Sequence, residues 1–373
     1  TVLVELPAVE RMPVKQQPPR RRLRLRGKAQ PVGQGERGGT DAQRSERMAA
    51  ATAPDAPPPV IFMFPGQGAQ YAGMAAALYE SEPVFAEWID RGAEQLKPAL
   101  NIDLRDFLCH TGPVSEAMSA ELRETRIAQP CLYIVEHALA RLWMSRGLKP
   151  DAMIGHSVGE FVAATLANTM TFDEGLRLVA ARGALMQRQP QGAMVSVRCD
   201  AETAAGHLAE GIEIAAINAP KLCVVSGPFE AMDETCAALE QAGIAFSRLH
   251  TSHAFHSAMM EDACAALREE TALVTYGEAT IPYISCVTGE WQTNQQGASS
   301  DYWARHCREA VQFAKGLQTL CAGRVPVLIE VGPGRALSVF AQQTIAREGL
   351  AAVIQSLPEH DRAALANETL AEA

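Results

Sequence analysis

Apolar positions along the chain alternate between two rhythms. Val60-Ile61-Phe62-Met63-Phe64 is an unbroken apolar run stopped by Pro65-Gly66, the pattern of a strand buried on both faces and closed by a tight turn. Helical spacing follows over residues 71–79 and 84–96. A longer helix is expected from Pro130, where Gln129-Pro130 puts proline at the first helical position and its missing N–H costs nothing. Leu132, Val135, Leu139 and Leu142 continue that helix at 3- and 4-residue intervals. Met153-Ile154 reads as a short strand, and residues 158–167 and 172–189 as helices. The second of these opens on Thr171-Phe172-Asp173-Glu174, with acidic groups in the first turn.

Between residues 193 and 250 the elements become shorter. Strands are expected at 193–198, 212–218, 222–227 and 245–249, with helices at 201–209 and 229–242. That β-α-β-β-α-β order is the ferredoxin-like unit. Afterwards a helix is expected over 303–322 and a strand over 325–331, ending in Gly332-Pro333-Gly334. Strands alternating with helices on both sides of the short unit predict an α/β body with a parallel sheet, interrupted by an insertion. The division is therefore a body at 59–190 and 253–373, an inserted subdomain at 191–252, and a leading segment at 1–58. That leading segment is rich in Pro, Arg, Gly and Gln and buries too little apolar surface to offset its ordering entropy. It reads as a linker with one possible strand at 2–6.

Composition refines this picture in three respects. At 47% hydrophobic and 20% charged residues over 373 positions, the chain has the balance of a globular protein. No run of eighteen apolar residues predicts a membrane span. Residues 1–50 hold eleven Lys/Arg against five Asp/Glu, while the whole chain is at −10. The basic run Arg20 to Arg26 thus belongs to the linker, and the acidic body is a poor match for nucleic acid, whose phosphates need neutralising. Nine cysteines with no CxxC pair suit reduced thiols and a cytoplasmic setting rather than a disulfide frame or a metal site. The chain starts at Thr1 and reads as a piece of something longer, or a processed form.

The candidate chemistry centres on Gly155-His156-Ser157-Val158-Gly159, a G-x-S-x-G between a short strand and an apolar helix. In that setting the serine sits on a sharp turn and the helix aims its first amides at the serine oxygen. His156 would be swung away by the turn. His250, His253 and His256 cluster where the inserted unit rejoins the body, and the residues alone do not say which of them is the base. The Gly-rich loop Phe64 to Gln70 lacks a phosphate-binding pattern but is placed to offer a backbone N–H to an oxyanion. Arg182, on a mostly apolar helix, is either a solvent-facing arginine or a buried fork for a carboxylate.

In combination these segments resemble a family, the malonyl-CoA:acyl carrier protein transacylases, and in particular the acyltransferase domains of modular polyketide synthases. The resemblance rests on Pro65-Gly66-Gln67-Gly68-Ala69-Gln70, Gln129-Pro130, Gly155-His156-Ser157-Val158-Gly159-Glu160, Arg182 to Met186, Asn218-Ala219-Pro220, His253-Ala254-Phe255-His256 and Glu330 to Gly334. It covers about residues 59–358. It implies an α/β-hydrolase-like body with a ferredoxin-like insertion, Ser157 as the acyl-bearing nucleophile and His256 as its base. It also implies Gln67 and Val158 as the oxyanion-hole amides, Arg182 against a malonyl carboxylate, and Gln129, Asn218, Phe255 and Met186 around the substrate. The family orients its histidine with a backbone carbonyl; the matching stretch here is Arg308 to Phe313, with Ala310 in place of the usual proline. HAFH and Val158 resemble the malonyl-selective pattern rather than the methylmalonyl one.

The expected reaction is a ping-pong transfer from malonyl-CoA to the phosphopantetheine thiol of an acyl carrier protein, in polyketide biosynthesis and beside neighbouring synthase domains. No metal and no permanently bound cofactor is called for, and neither nucleic acid nor membrane is an expected partner. Two rivals remain. A serine acyl hydrolase of the thioesterase kind would share the elbow, but an ordinary one keeps its histidine near the C-terminus, where only His360 qualifies. A non-catalytic docking module would use the basic tail and leave Ser157, His256 and Arg182 without purpose.

Overall fold

The computed structural model describes residues 57–358 and 369–370. The chain divides into two units at Pro57/Pro58, and only the second is described. The expected linker, its strand at 2–6, the basic run and His360 lie outside the described residues.

Nine strands are described: β1 (Val60–Phe64), β2 (Ala152–Gly155), β3 (Ala193–Val197), β4 (Glu213–Ala219), β5 (Leu222–Gly227), β6 (Phe246–Arg248), β7 (Tyr283–Ile284), β8 (Val327–Glu330) and β9 (Ala352–Gln355). Five form a parallel sheet in the order β7-β2-β1-β8-β9, and four form an antiparallel sheet in the order β4-β5-β3-β6. The fold is thus α/β, with a parallel sheet and a separate antiparallel one. β1 lies at the centre of the larger sheet, and Ile61 to Phe64 are wholly buried, as an uninterrupted apolar run requires of a strand covered on both faces.

The Thr125–Ser145 helix packs against the Phe172–Gln187 helix. It buries 17 of its 21 residues, so it runs through the core instead of presenting a solvent face. The expected start at Pro130 is therefore wrong. The helix begins at Thr125 and Pro130 lies inside it, where its ring removes the bond that an N–H would make to the Arg126 carbonyl. Burial around this proline outweighs the lost bond. The helix expected at 303–322 is also two, Ser300–His306 and Phe313–Cys321, separated by a loop at 307–312. Val311 pairs there with Ala216 of β4, and that backbone pairing leaves no continuous helical ladder.

Other expectations hold more closely. Thr171 and Glu174 form a reciprocal capping box that opens the Phe172–Gln187 helix. Helices at 84–96, 158–167 and 229–242 fall at Pro83–Leu100, Gly159–Leu166 and Phe229–Gln241, whereas those at 71–79 and 201–209 shrink to Ala76–Ser81 and Ala201–Ala205. The two-residue strand β7 and the half-buried edge strand β9, which overlaps the apolar run 350–354, were not among the expected strands. All nine cysteines are free thiols. Among the described residues no helix is long and apolar enough to cross a membrane.

Candidate active site

Parallel pairing of β1 with β2 puts Phe64 opposite Gly155, so the loops leaving both strands emerge side by side. The first carries Gln67, the second Ser157. Ser157 adopts φ 51°, a left-handed conformation that costs a non-glycine residue about 1–2 kcal/mol. The flanking glycines do not supply that conformation; they supply room. A Cβ on Gly155 would stand 2.0 Å from the Glu160 nitrogen, and one on Gly159 would stand 2.2 Å from the Phe64 carbonyl oxygen. The elbow closes only because both side chains are missing.

Ser157 Oγ lies 2.8 Å from His256 Nε2, and His256 Nδ1 lies 2.8 Å from the Glu309 carbonyl oxygen. A carbonyl only accepts, so Nδ1 carries the proton and the neutral ring presents its Nε2 lone pair to the serine. Burial, then the Arg182 charge, hold His256 well below its ordinary range, which keeps it neutral. The expected reliance on a carbonyl from residues 308–313 thus falls on Glu309, with Ala310 in the proline position. The other two histidines go elsewhere. His253 is buried against Ser252 Oγ at 2.7 Å and pairs its backbone with Gln191. His250 is exposed and borders a 310 Å³ cavity with Arg123, Glu124 and Gln187.

Arg182 is 1% exposed; the solvent-facing reading of it is excluded. Its Nη1 donates to Gln129 Oε1 at 2.7 Å and its Nη2 to Ser157 Oγ at 3.1 Å. Nε is buried with no partner, and among the described residues no carboxylate pairs with this guanidinium. Gln129 Nε2 continues to Gln67 Oε1, and Gln67 Nε2 to Thr125 Oγ1, both at 3.3 Å. One side-chain relay therefore joins Thr125, Gln67, Gln129, Arg182, Ser157 and His256. Met186 Sδ touches Gln129 at 3.6 Å and shares an apolar cluster with Phe255. Asn218 Oδ1 lies 2.8 Å from His156 Nε2, so β4 reaches the residue before the serine. Val158 is buried immediately before the Gly159–Leu166 helix.

Sequence reasoning passed over the group beneath the elbow. Glu160 is wholly buried. It accepts the Cys286 backbone N–H at 2.7 Å and the Tyr302 hydroxyl, and His306 Nε2 is 3.3 Å away. The Cys286 sulfur in turn lies 3.2 Å from His306 Nε2. Glu160, Cys286 and His306 present ligand atoms within 4.8 Å of one another, the one such convergence among the described residues. Those atoms already serve contacts among themselves and with Tyr302, beneath the elbow. The clue available in the sequence was Glu160 itself, the one charged residue in an otherwise mostly apolar helix.

Ser157 and His256 are thus hydrogen-bonded beside a buried arginine that no carboxylate neutralises among the described residues. Comparisons with known proteins identify the family. The model for the acyl transferase domain matches residues 61–371, and the chain belongs to that family. It is 40% identical over 307 residues to the phenolphthiocerol synthesis polyketide synthase type I Pks15/1 of Mycobacterium marinum, covering 82% of this chain and 14% of that protein. The chain spans about a fifth or less of the length of such curated relatives, as a domain does. Among solved structures, the acyl transferase domain of SpnD in complex with 2-(pent-4-yn-1-yl)malonyl matches with a TM-score of 0.79 and 37% identity, over 86% of this chain and 76% of that one. A malonyl transacylase (PlMCAT) in complex with its type II polyketide synthase acyl-carrier protein matches with a TM-score of 0.71 and 26% identity, over 83% and 99%. The hydrolase alternative finds no support among these relatives.

Proposed function

We propose that this acyltransferase domain loads a malonyl extender unit from coenzyme A onto the phosphopantetheine thiol of an acyl carrier protein, through an ester on Ser157, within a larger polyketide synthase. The observation that carries the reading is the Nε–Nη2 edge of Arg182. Those two N–H groups form the parallel fork that grips a carboxylate. One is unpartnered and the other rests on the serine that would bear the acyl group. A buried guanidinium without an anion is costly, and the free carboxylate of malonate removes that cost when substrate enters.

In the proposed sequence His256 Nε2 accepts the Ser157 proton while Glu309 holds the ring, and Oγ attacks the thioester carbonyl. The amides of Gln67 and Val158 receive the oxyanion; a donor of this kind is worth about 3–4 kcal/mol. Coenzyme A leaves, the carrier thiol attacks the ester, and His256 manages the proton again. Phe255 beside the base and Val158 beside the nucleophile restrict the space at the α-carbon, favouring malonyl over methylmalonyl by about ten to two hundredfold. In fold terms we read the larger unit, 59–190 with 253–373, as α/β-hydrolase-like and 191–252 as the ferredoxin-like insertion, since β6-β3-β5-β4 with two helices is the order such a unit takes. Free thiols throughout suit a reducing, cytoplasmic setting.

Competition among malonyl-, methylmalonyl- and acetyl-CoA, read by intact mass, tests the proposal. Malonyl should dominate the adduct. Equal labelling by acetyl would refute the role of Arg182, and equal labelling by methylmalonyl that of Phe255.

A further inference from the structure

The loop 307–312 that splits the expected helix is anchored on several sides. Glu309 holds His256, Arg308 grips Glu213 of β4 at 2.6 and 2.9 Å, and Val311 exchanges backbone hydrogen bonds with β4. At its entry Cys307 Sγ meets Cys264 Sγ, from the Glu261–Thr271 helix, at 2.9 Å. The two lie 43 residues apart in sequence, and neither takes part in the proposed acyl transfer. A disulfide would need the sulfurs only about 0.9 Å closer.

We propose that Cys264 and Cys307 form a reversible disulfide under peroxide, and that closing it slows acyl transfer by displacing the carbonyl that orients His256. The pair is chemically suited to this. Cys264 is 9% exposed and Cys307 fully buried, so a water-sized oxidant has a short path to the pair and larger thiol reagents do not. The Cys264 thiol hydrogen-bonds Cys307 and, with the Arg182 and Arg308 charges, holds the Cys307 thiol below its ordinary range. The Cys307 thiolate attacks one oxygen of hydrogen peroxide and hydroxide leaves, giving a sulfenic acid. The Cys264 thiol then attacks that sulfur. Its proton and the sulfenic oxygen depart as water once the released hydroxide is neutralised by the proton Cys307 gave up. Two thiols and one peroxide thus become one disulfide and two waters. The shift falls two residues before Glu309, and a displacement of about 1 Å in a positioning contact can cost up to about a hundredfold in rate.

The effect on rate rests on the function proposed above, whereas the cross-link does not, so the two are read separately. Full-length protein is treated with hydrogen peroxide, then examined by intact mass, by peptide mapping and by malonyl-CoA labelling rate. The expected result is a loss of about 2 Da mapped to Cys264–Cys307, labelling slowed on the order of tenfold, and recovery of both with dithiothreitol. Cys264→Ala should label at the untreated rate and resist peroxide; Cys264→Ser replaces it if the alanine variant lowers the melting temperature. A cross-link at any other pair of cysteines in place of Cys264–Cys307 overturns the site. No loss of mass at all overturns it too. A Cys264–Cys307 cross-link with an unchanged labelling rate, or inactivation persisting in Cys264→Ala, overturns the switch.

Discussion

Arg105 and Arg182 carry the same side chain in opposite surroundings. Arg105, near the surface, shares its donors among Asp90, Asp103 and Glu94, with Asp103 at 2.7 Å. Hydrogen bonding to Asp103 first, then to the other two, raises its proton affinity and holds Asp103 far below the usual carboxylate range. Arg182, deep beside Ser157, has a glutamine, a serine and an unused Nε, and burial lowers its proton affinity. One arginine has its anions built in and the other lacks them. That deficit is the place the proposed function gives to the acyl carboxylate.

The largest effects should come from the groups beside Arg182. Ser157→Ala should abolish the malonyl adduct by mass spectrometry, and His256→Ala should slow both half-reactions on the order of a hundredfold or more in a stopped time course. An adduct surviving Ser157→Ala would break the assignment outright. Arg182→Ala should narrow the malonyl-over-acetyl preference by at least about tenfold in the competition assay, because it removes a charge-assisted fork. Arg182→Lys should not restore it, since an ammonium has no planar fork. If the alanine variant still excluded acetyl as strongly, the buried arginine would be a packing residue and the contrast with Arg105 would lose its meaning.

Glu160→Gln should lower kcat several-fold with little change in KM, because it weakens the contacts under the elbow and touches no substrate; a loss in KM alone would contradict that placement. pH provides a graded test. His137, His156, His256 and His306 all have depressed proton affinity, with burial the first cause of each. Their folded values lie below the unfolded value near 6.5, so the stability they contribute is present above about pH 6.5 and is lost as pH falls. The melting temperature should drop between pH 7 and pH 5. His137→Phe, in an aromatic cluster with Trp88 and Phe172, should flatten that drop without altering labelling. Arg105→Ala closes the series: about 1 kcal/mol or less in urea unfolding and no change in acyl transfer.

Much of the site was legible in the chain. The elbow serine, the apolar strand before it and the Gly-rich loop are local patterns, and local geometry follows from neighbouring residues. Glu160 was passed over because its partners, Cys286, Tyr302 and His306, lie more than a hundred residues away. The helix expected at 303–322 failed for a related reason: its apolar spacing is intact, yet β4 captures Val311 by backbone pairing and opens the loop that frees the Glu309 carbonyl. Periodicity reports how much a segment needs burial, not which backbone it will meet.

The sequence by itself determined where strands and helices recur, that two glycines flank a serine, and that an arginine lies on an apolar helix. Only the tertiary structure decided which of three nearby histidines reaches that serine from 99 residues away, and that the arginine's helix faces inward. It also decided that Pro130 sits within a helix whose burial compensates for one absent hydrogen bond. The reason is common to all three. Chain stiffness and side-chain period act over a few residues, whereas position across the sheet is set by strand order, which no single segment encodes.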